Sequence, residues 1–193
     1  MHAKTLARRV LLTTSLAAPF VASATSSRAF AQANAENTLY LDLKDGRVTI
    51  ELRPDLAPRH VERIKALSRR GFYDNVPFHR VIEGFMAQGG DPTGRGTGGS
   101  DLPDLQAEFT PAARARFIRG TCGMARTSDP NTANSQFFIM FAPAPSLDGQ
   151  YTIWGRVVGG MEAVDKIKRG APGSGVVAGP DRIVRMRAAT DAG

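Results

Sequence analysis

A mainly β protein is predicted: a closed eight-stranded antiparallel β-barrel capped by two α-helices. Three observations carry this. Short runs of apolar and polar residues alternate along the chain between turns rich in Gly, Pro and Asn. Only two stretches, one early and one late, show the spacing of an amphipathic helix. A length of 193 residues suits one domain with a substantial core, and no internal repeat or second domain appears. Roughly eight strands with a helix near either end suit an antiparallel barrel plugged at its mouths.

The N-terminus is a different kind of sequence. His2, Lys4, Arg8 and Arg9 make a basic start, Val10 to Ala24 is apolar or small, and Ala29-Phe30-Ala31 offers a small-x-small cleavage site. A secretory signal peptide is therefore expected over 1–31, with the mature domain over 32–193. Thr13, Thr14 and Ser15 interrupt the apolar run too early for a membrane span. Arg8-Arg9 before Val10-Leu11-Leu12 also suits a twin-arginine export signal. The formal net charge is +7, but Lys4, Arg8, Arg9 and Arg28 belong to this segment, leaving +3 on the domain. No clustered Lys/Arg face stands out, so nucleic-acid binding is not indicated.

Along the domain, Ala33 to Asn37 reads as polar and loose. Thr38 to Leu43 and Arg47 to Leu52 alternate around Asp45-Gly46, a hairpin signal. Ala57 to Arg70 reads as a helix: Val61, Ile64 and Leu67 form its apolar stripe, with Arg59, Arg63, Lys65, Arg69 and Arg70 on a solvated side. Pro58 fits its first turn and Gly71 its stop, and His60 is expected at its surface. Phe78 to Gln88 gives two short strands. Ile118 to Ala125, Gln136 to Met140 and Tyr151 to Val158 give three more, Met161 to Lys168 a second helix, and Arg182 to Arg187 a last strand. Cys122, the only cysteine, permits no intramolecular disulfide and is expected as a small core residue.

One stretch is not generic. Phe78 to Gly99 reads FHRVIEGFMAQGGDPTGRGTGG and places one arginine, Arg80, beside Phe85 and Met86. That combination suits a hydrophobic floor with a permanently charged, multi-donor group at its rim. The stretch resembles the central motif of the cyclophilin-type peptidyl-prolyl isomerases, FHR-x-I-x-GFM-x-QGGD. Gly123-Met124-Ala125-Arg126 with Asn134-Ser135-Gln136-Phe137-Phe138-Ile139, then Leu147-Asp148-Gly149 leading to Trp154-Gly155-Arg156-Val157, are similar to further family blocks in the same order. The likeness covers about Thr38 to Thr190.

The resemblance implies the eight-stranded barrel and isomerisation of X–Pro bonds without any cofactor or metal. It implies Arg80 as the catalytic residue, Phe85, Met86, Phe138 and Leu147 as walls of a proline pocket, and Gln88 as the group holding substrate backbone and arginine. Ala125, Arg126 and Gln136 then line the groove for the residues before proline, and Tyr151 stands where the family often has a histidine. Ser146 replaces a tryptophan common in the family, so weak cyclosporin binding is expected. Proline-containing polypeptides are the expected partners, a monomer the expected state and the periplasm the expected location. A proline-peptide binding module or holdase chaperone with little turnover is the alternative on the same scaffold.

Other chemistries fit less well. No G-x-S-x-G elbow accompanies His60 or His79, and the domain's two histidines and one cysteine lack metal spacing. Strand alternation turns His79 away from Arg80, as a packed structural residue. Gly94 to Gly99 satisfies G-x-G-x-x-G, but Ser100-Asp101-Leu102-Pro103 begins no helix, so a nucleotide site is not expected and the loop borders the groove instead.

Overall fold

The computed structural model describes residues 35–191, so the expected signal peptide lies outside the described residues. The first hairpin forms where the alternation placed it. β1 (Thr38–Leu43) and β2 (Gly46–Leu52) pair in register from Thr38 opposite Glu51 to Leu43 opposite Gly46. Ahead of it, Ala35 and Glu36 are helical rather than loose. Then follow α1 (Pro58–Arg69), β3 (Arg80–Ile82), β4 (Met86–Gly89), β5 (Thr121–Met124), β6 (Phe137–Met140), β7 (Ile153–Gly159), α2 (Met161–Asp165) and β8 (Arg185–Ala188). Single 3₁₀ turns cover Pro145–Leu147 and Ala189–Asp191.

All eight strands lie in one sheet of order β3-β4-β6-β5-β7-β2-β1-β8, every pairing antiparallel. The expected closed barrel is not what they build. The sheet curls into a half-barrel whose ladder ends at β3 and β8. The chain that would close it holds Pro172, Gly173, Gly175, Gly179 and Pro180, residues that cannot sustain a ladder. Isolated bridges do the joining instead, Pro77 to Arg182 and Arg80 to Val176, with the Val81 N–H donating to the Gly175 carbonyl at 2.7 Å. The second helix, α2, ends at Asp165, short of Lys168, and β8 begins only at Arg185.

The main core lies between the sheet and α1. Val61, Ile64 and Leu67 are wholly buried in one cluster with Leu39, Leu41 and Ile50 of the first hairpin, the helix lying chiefly against β8 and β7, and each is worth about 1.5–3 kcal/mol. Trp154 is fully buried with its ring edge-on to Phe137 at 5.8 Å. Cys122 is a buried core residue, and burial pushes its thiol pKa up. A smaller cluster of Leu56, Met86, Phe117, Phe138, Met140, Ala144 and Ile153 fills the other end.

Three polar residues of α1 are not where periodicity placed them. His60 is 0% exposed, because the helix starts under a distant carboxylate. Ala57, at the N-cap, has no side-chain oxygen, and Glu108 replaces it by accepting the N–H groups of Arg59 at 3.2 Å and His60 at 3.1 Å. The same carboxylate stands 2.6 Å from His60 Nδ1. Arg63 and Lys65 are buried as well, Arg63 donating to the Pro103 carbonyl at 2.6 Å and the Asn134 carbonyl at 3.3 Å.

His60 Nε2 is buried with no protein partner, which suits a neutral ring donating from Nδ1 to Glu108. Desolvation holds its pKa below the ordinary value, against the pull of Glu108, and desolvation likewise lowers His79. The unfolded chain therefore takes up protons first as pH falls, so these groups cost stability below about pH 6.5. The melting temperature is expected to drop between about pH 6.5 and 5, less steeply in His60→Asn. Circular dichroism melts that are flat across this window would contradict the neutral buried rings.

Candidate active site

The site grows from the tight β3–β4 hairpin, whose register sets Arg80 opposite Gln88. Alternation turns Val81 into the core and leaves Arg80 half-buried at the sheet edge. Its guanidinium donates from Nε to the Ser174 carbonyl at 3.3 Å and from Nη1 to Gln88 Oε1 at 3.3 Å. No carboxylate pairs with it among the described residues. The Gln88 amide passes the constraint on, Nε2 donating to Gln136 Oε1 at 2.9 Å. Gln136 Nε2 in turn donates to the carbonyls of Gly96 at 3.0 Å and Gly98 at 2.8 Å.

Those carbonyls belong to the glycine-rich loop, and Asp91 organises it. Its fully buried carboxylate accepts the N–H groups of Gly96 (2.7 Å), Thr93 (2.8 Å), Gly98 (3.1 Å) and Arg95 (3.2 Å), with the Thr93 hydroxyl at 2.9 Å. Burial alone would raise its pKa, but these donors outweigh it and hold the carboxyl below the usual range. The loop's glycines thus leave N–H groups free to converge on one side chain. His79 packs beneath, buried as its parity suggested, with a Gly96 Cβ falling only 3.3 Å from its Nε2.

Beside Arg80 and Gln88 opens a cavity of about 220 Å³. Phe85, Met86, Phe138 and Leu147 form its apolar wall, facing Arg80 and Gln88, and Ala125, Arg126 and Tyr151 complete it. The Phe138 ring stacks on Phe117 at 5.7 Å, and Tyr151 meets both edge-on at 5.8 and 6.5 Å. Arg126 holds Tyr151 in place: its guanidinium lies 4.3 Å from the ring centroid while donating to the carbonyls of Thr127 at 2.8 Å and Gln150 at 2.9 Å. Of the residues selected from the sequence, only Gln136 lies outside this cavity. It lines an adjoining cleft of about 490 Å³ that shares Gln88, Ala125 and Arg126 with the first. Gly98, Ser100, Asp104, Thr132 and Asn134 stand around the larger cleft.

Sequence reasoning missed the supports behind these walls. Phe117 precedes its strand and carries no periodic signal. Asp91 was legible only as the end of a motif. Gly123 could have been found, because a glycine inside an apolar strand marks a close approach. A Cβ there would stand 2.5 Å from Phe138 and 2.7 Å from Phe117. Gly123→Ala is expected to destabilise the protein by about 1–3 kcal/mol and to displace Phe138 from the cavity wall. Urea unfolding with a crystal structure of the variant checks this, and unchanged stability would mean the aromatic pair can move aside freely.

Known proteins share this architecture. The family described as "Cyclophilin type peptidyl-prolyl cis-trans isomerase/CLD" matches residues 38–188. A protein of Brucella suis biovar 1 (strain 1330) named "Probable peptidyl-prolyl cis-trans isomerase" is 53% identical over 188 residues, covering 91% of this chain and 94% of its own. A cyclophilin-type peptidyl-prolyl cis-trans isomerase of Cryptosporidium parvum, crystallised in the presence of the dipeptide Ala-Pro, superposes with a TM-score of 0.72 at 32% identity, over 78% of this chain and 98% of that one. A cyclophilin from Hirschia baltica superposes with a TM-score of 0.71 at 27% identity, over 81% and 75%.

Proposed function

The chain belongs to the cyclophilin-type peptidyl-prolyl cis-trans isomerases, and from that premise we propose that Arg80 drives rotation about X–Pro bonds of exported proteins as they fold. The barrier to that rotation, roughly 18–20 kcal/mol, is the loss of amide resonance. Uncatalysed X–Pro isomerisation takes on the order of tens to hundreds of seconds, slow enough to limit folding. As the C–N bond twists, the proline nitrogen recovers its lone pair and becomes a better acceptor. A guanidinium donor fixed beside it stabilises the twisted state more than the planar one. The twisted amide is also less charge-separated, so an apolar cavity favours it over water.

The carrying observation is a guanidinium with no carboxylate partner among the described residues, at the mouth of a cavity of about 220 Å³ that Phe85, Met86, Phe138 and Leu147 wall on one side. Phe85, Met86, Phe138 and Leu147 would take the proline ring, and Gln88 would hold both Arg80 and the substrate backbone. Ala125, Arg126 and Gln136 would face the neighbouring substrate residues, with Tyr151 closing the wall. A module that only binds proline has no use for an uncompensated donor, which favours turnover over the binding or holdase reading. The basic start, apolar run and small-x-small site of residues 1–31 support export and a periplasmic place of work.

In a cis-to-trans assay on a short X–Pro peptide, the mature domain Gln32 to Gly193 is expected to accelerate isomerisation clearly. Arg80→Ala is expected to lose one or more orders of magnitude, about 1.4 kcal/mol of transition-state stabilisation or more. A folded wild-type domain that binds the peptide without acceleration would favour the binding module. Cyclosporin is expected to inhibit weakly, because exposed Ser146, on the 3₁₀ turn that carries Leu147, offers little apolar surface. A nanomolar inhibition constant would overturn that expectation.

A further inference from the structure

A second cleft, away from the groove, has a different chemistry. It measures about 160 Å³ and is bordered by four arginines: Arg53 after β2, Arg114 and Arg116 before β5, and Arg156 on β7. Its floor is apolar, with Leu56, Ala115 and Ile153, and Ile118 stands 41% exposed at its edge. Two carboxylates face these four cations. Asp55 is taken by Arg53, in a two-point pair at 2.8 and 2.8 Å, and by Arg114 at 3.5 Å. Glu51 stands across the ladder from Arg156 and adds its field at Arg53, but forms no ion pair with Arg156. Arg116 donates from Nε to the Ala112 carbonyl at 3.1 Å and, like Arg156, has no carboxylate partner among the described residues. Both side chains are exposed and neither touches the proline cavity.

We propose that this cleft docks an acidic segment of a polypeptide, with carboxylates on Arg116 and Arg156 and an apolar side chain against Ile118 and Ala115. Charge complementarity selects the occupant. Guanidinium forks donate two hydrogen bonds to one carboxylate, as Arg53 already does to Asp55, and arginine beside exposed aliphatic surface is a common composition for protein contacts. Nucleic acid fits less well, since no aromatic side chain borders the cleft for bases to stack on. The surface is distinct from the groove chemically as well as spatially: the groove sets Asp104 against Arg126, whereas four arginines and no carboxylate line this cleft.

The test is titration of the protein with a labelled, proline-free peptide of alternating Glu and Leu, followed by amide shift mapping. Shifts are expected over residues 114–118 and 153–156, with affinity that weakens as salt is raised. Arg116→Glu with Arg156→Glu should weaken binding at least tenfold, and the milder Arg116→Gln with Arg156→Gln should fall between. Turnover of a short X–Pro peptide should stay unchanged in both, which also certifies the fold. Equal affinity in the folded charge-reversed variant, shifts centred on residues 96–100, or binding of anionic phosphatidylglycerol vesicles but not of the peptide would each overturn the proposal.

Discussion

A half-buried arginine held without a counter-ion is the constraint on which the site depends. A charge leaving water beside phenylalanine and methionine is costly unless dipoles replace its hydration. Here the dipoles are neutral, the Ser174 carbonyl and the Gln88 amide oxygen. A carboxylate would satisfy Arg80 more strongly but would also occupy the donors that the proposed chemistry requires. The neutral solution works only if each acceptor is held in turn. Gln88 is therefore tied to Gln136, Gln136 to the loop carbonyls of Gly96 and Gly98, and the loop to the buried Asp91 carboxylate. The chain of amides ends on a charge that is itself solvated by four backbone N–H groups and the Thr93 hydroxyl.

The second requirement is a rigid apolar surface beside that donor. It comes from the smaller hydrophobic cluster rather than the main core. Phe138 and Met86 serve at once as buried members of that cluster and as cavity wall. Packing Phe138 between Phe117 and Tyr151, with no Cβ at Gly123, fixes its ring where periodicity alone would only have buried it. Arg126 extends the arrangement outward by spending its guanidinium on Tyr151 and on carbonyls of the neighbouring turns.

The rest of the fold holds these parts together by long-range polar ties. Glu108, 48 residues along the chain from His60, caps the helix that its own local sequence leaves uncapped. The segment after α2 runs back along β3 by isolated bridges, which lets the Ser174 carbonyl reach Arg80. An uninterrupted ladder closing β3 onto β8 would pair that edge as strand and leave no loop to supply the carbonyl. The open seam is thus part of how the site is built.

Much was legible in the chain because it is local. Alternation with period two located the first hairpin, β3 and the last strand, the 3.6 period found α1, and one contiguous motif placed Arg80, Phe85, Met86 and Gln88 in one neighbourhood. Residue spacing determines which face a side chain takes, and a strand-pair motif carries its own register. What the sequence could not decide are contacts between segments distant in the chain. Burial of His60 and Arg63 followed from loop 103–108 and Asn134 folding over the helix, and Lys65 meets Glu36 from before the first strand. The open half-barrel followed from how a proline- and glycine-rich segment met β3, and the cationic cleft from three loops and strands converging. Periodicity describes a segment against an averaged surround. Only tertiary packing says which carbonyl, carboxylate or ring stands opposite, and that opposition determines solvation and charge.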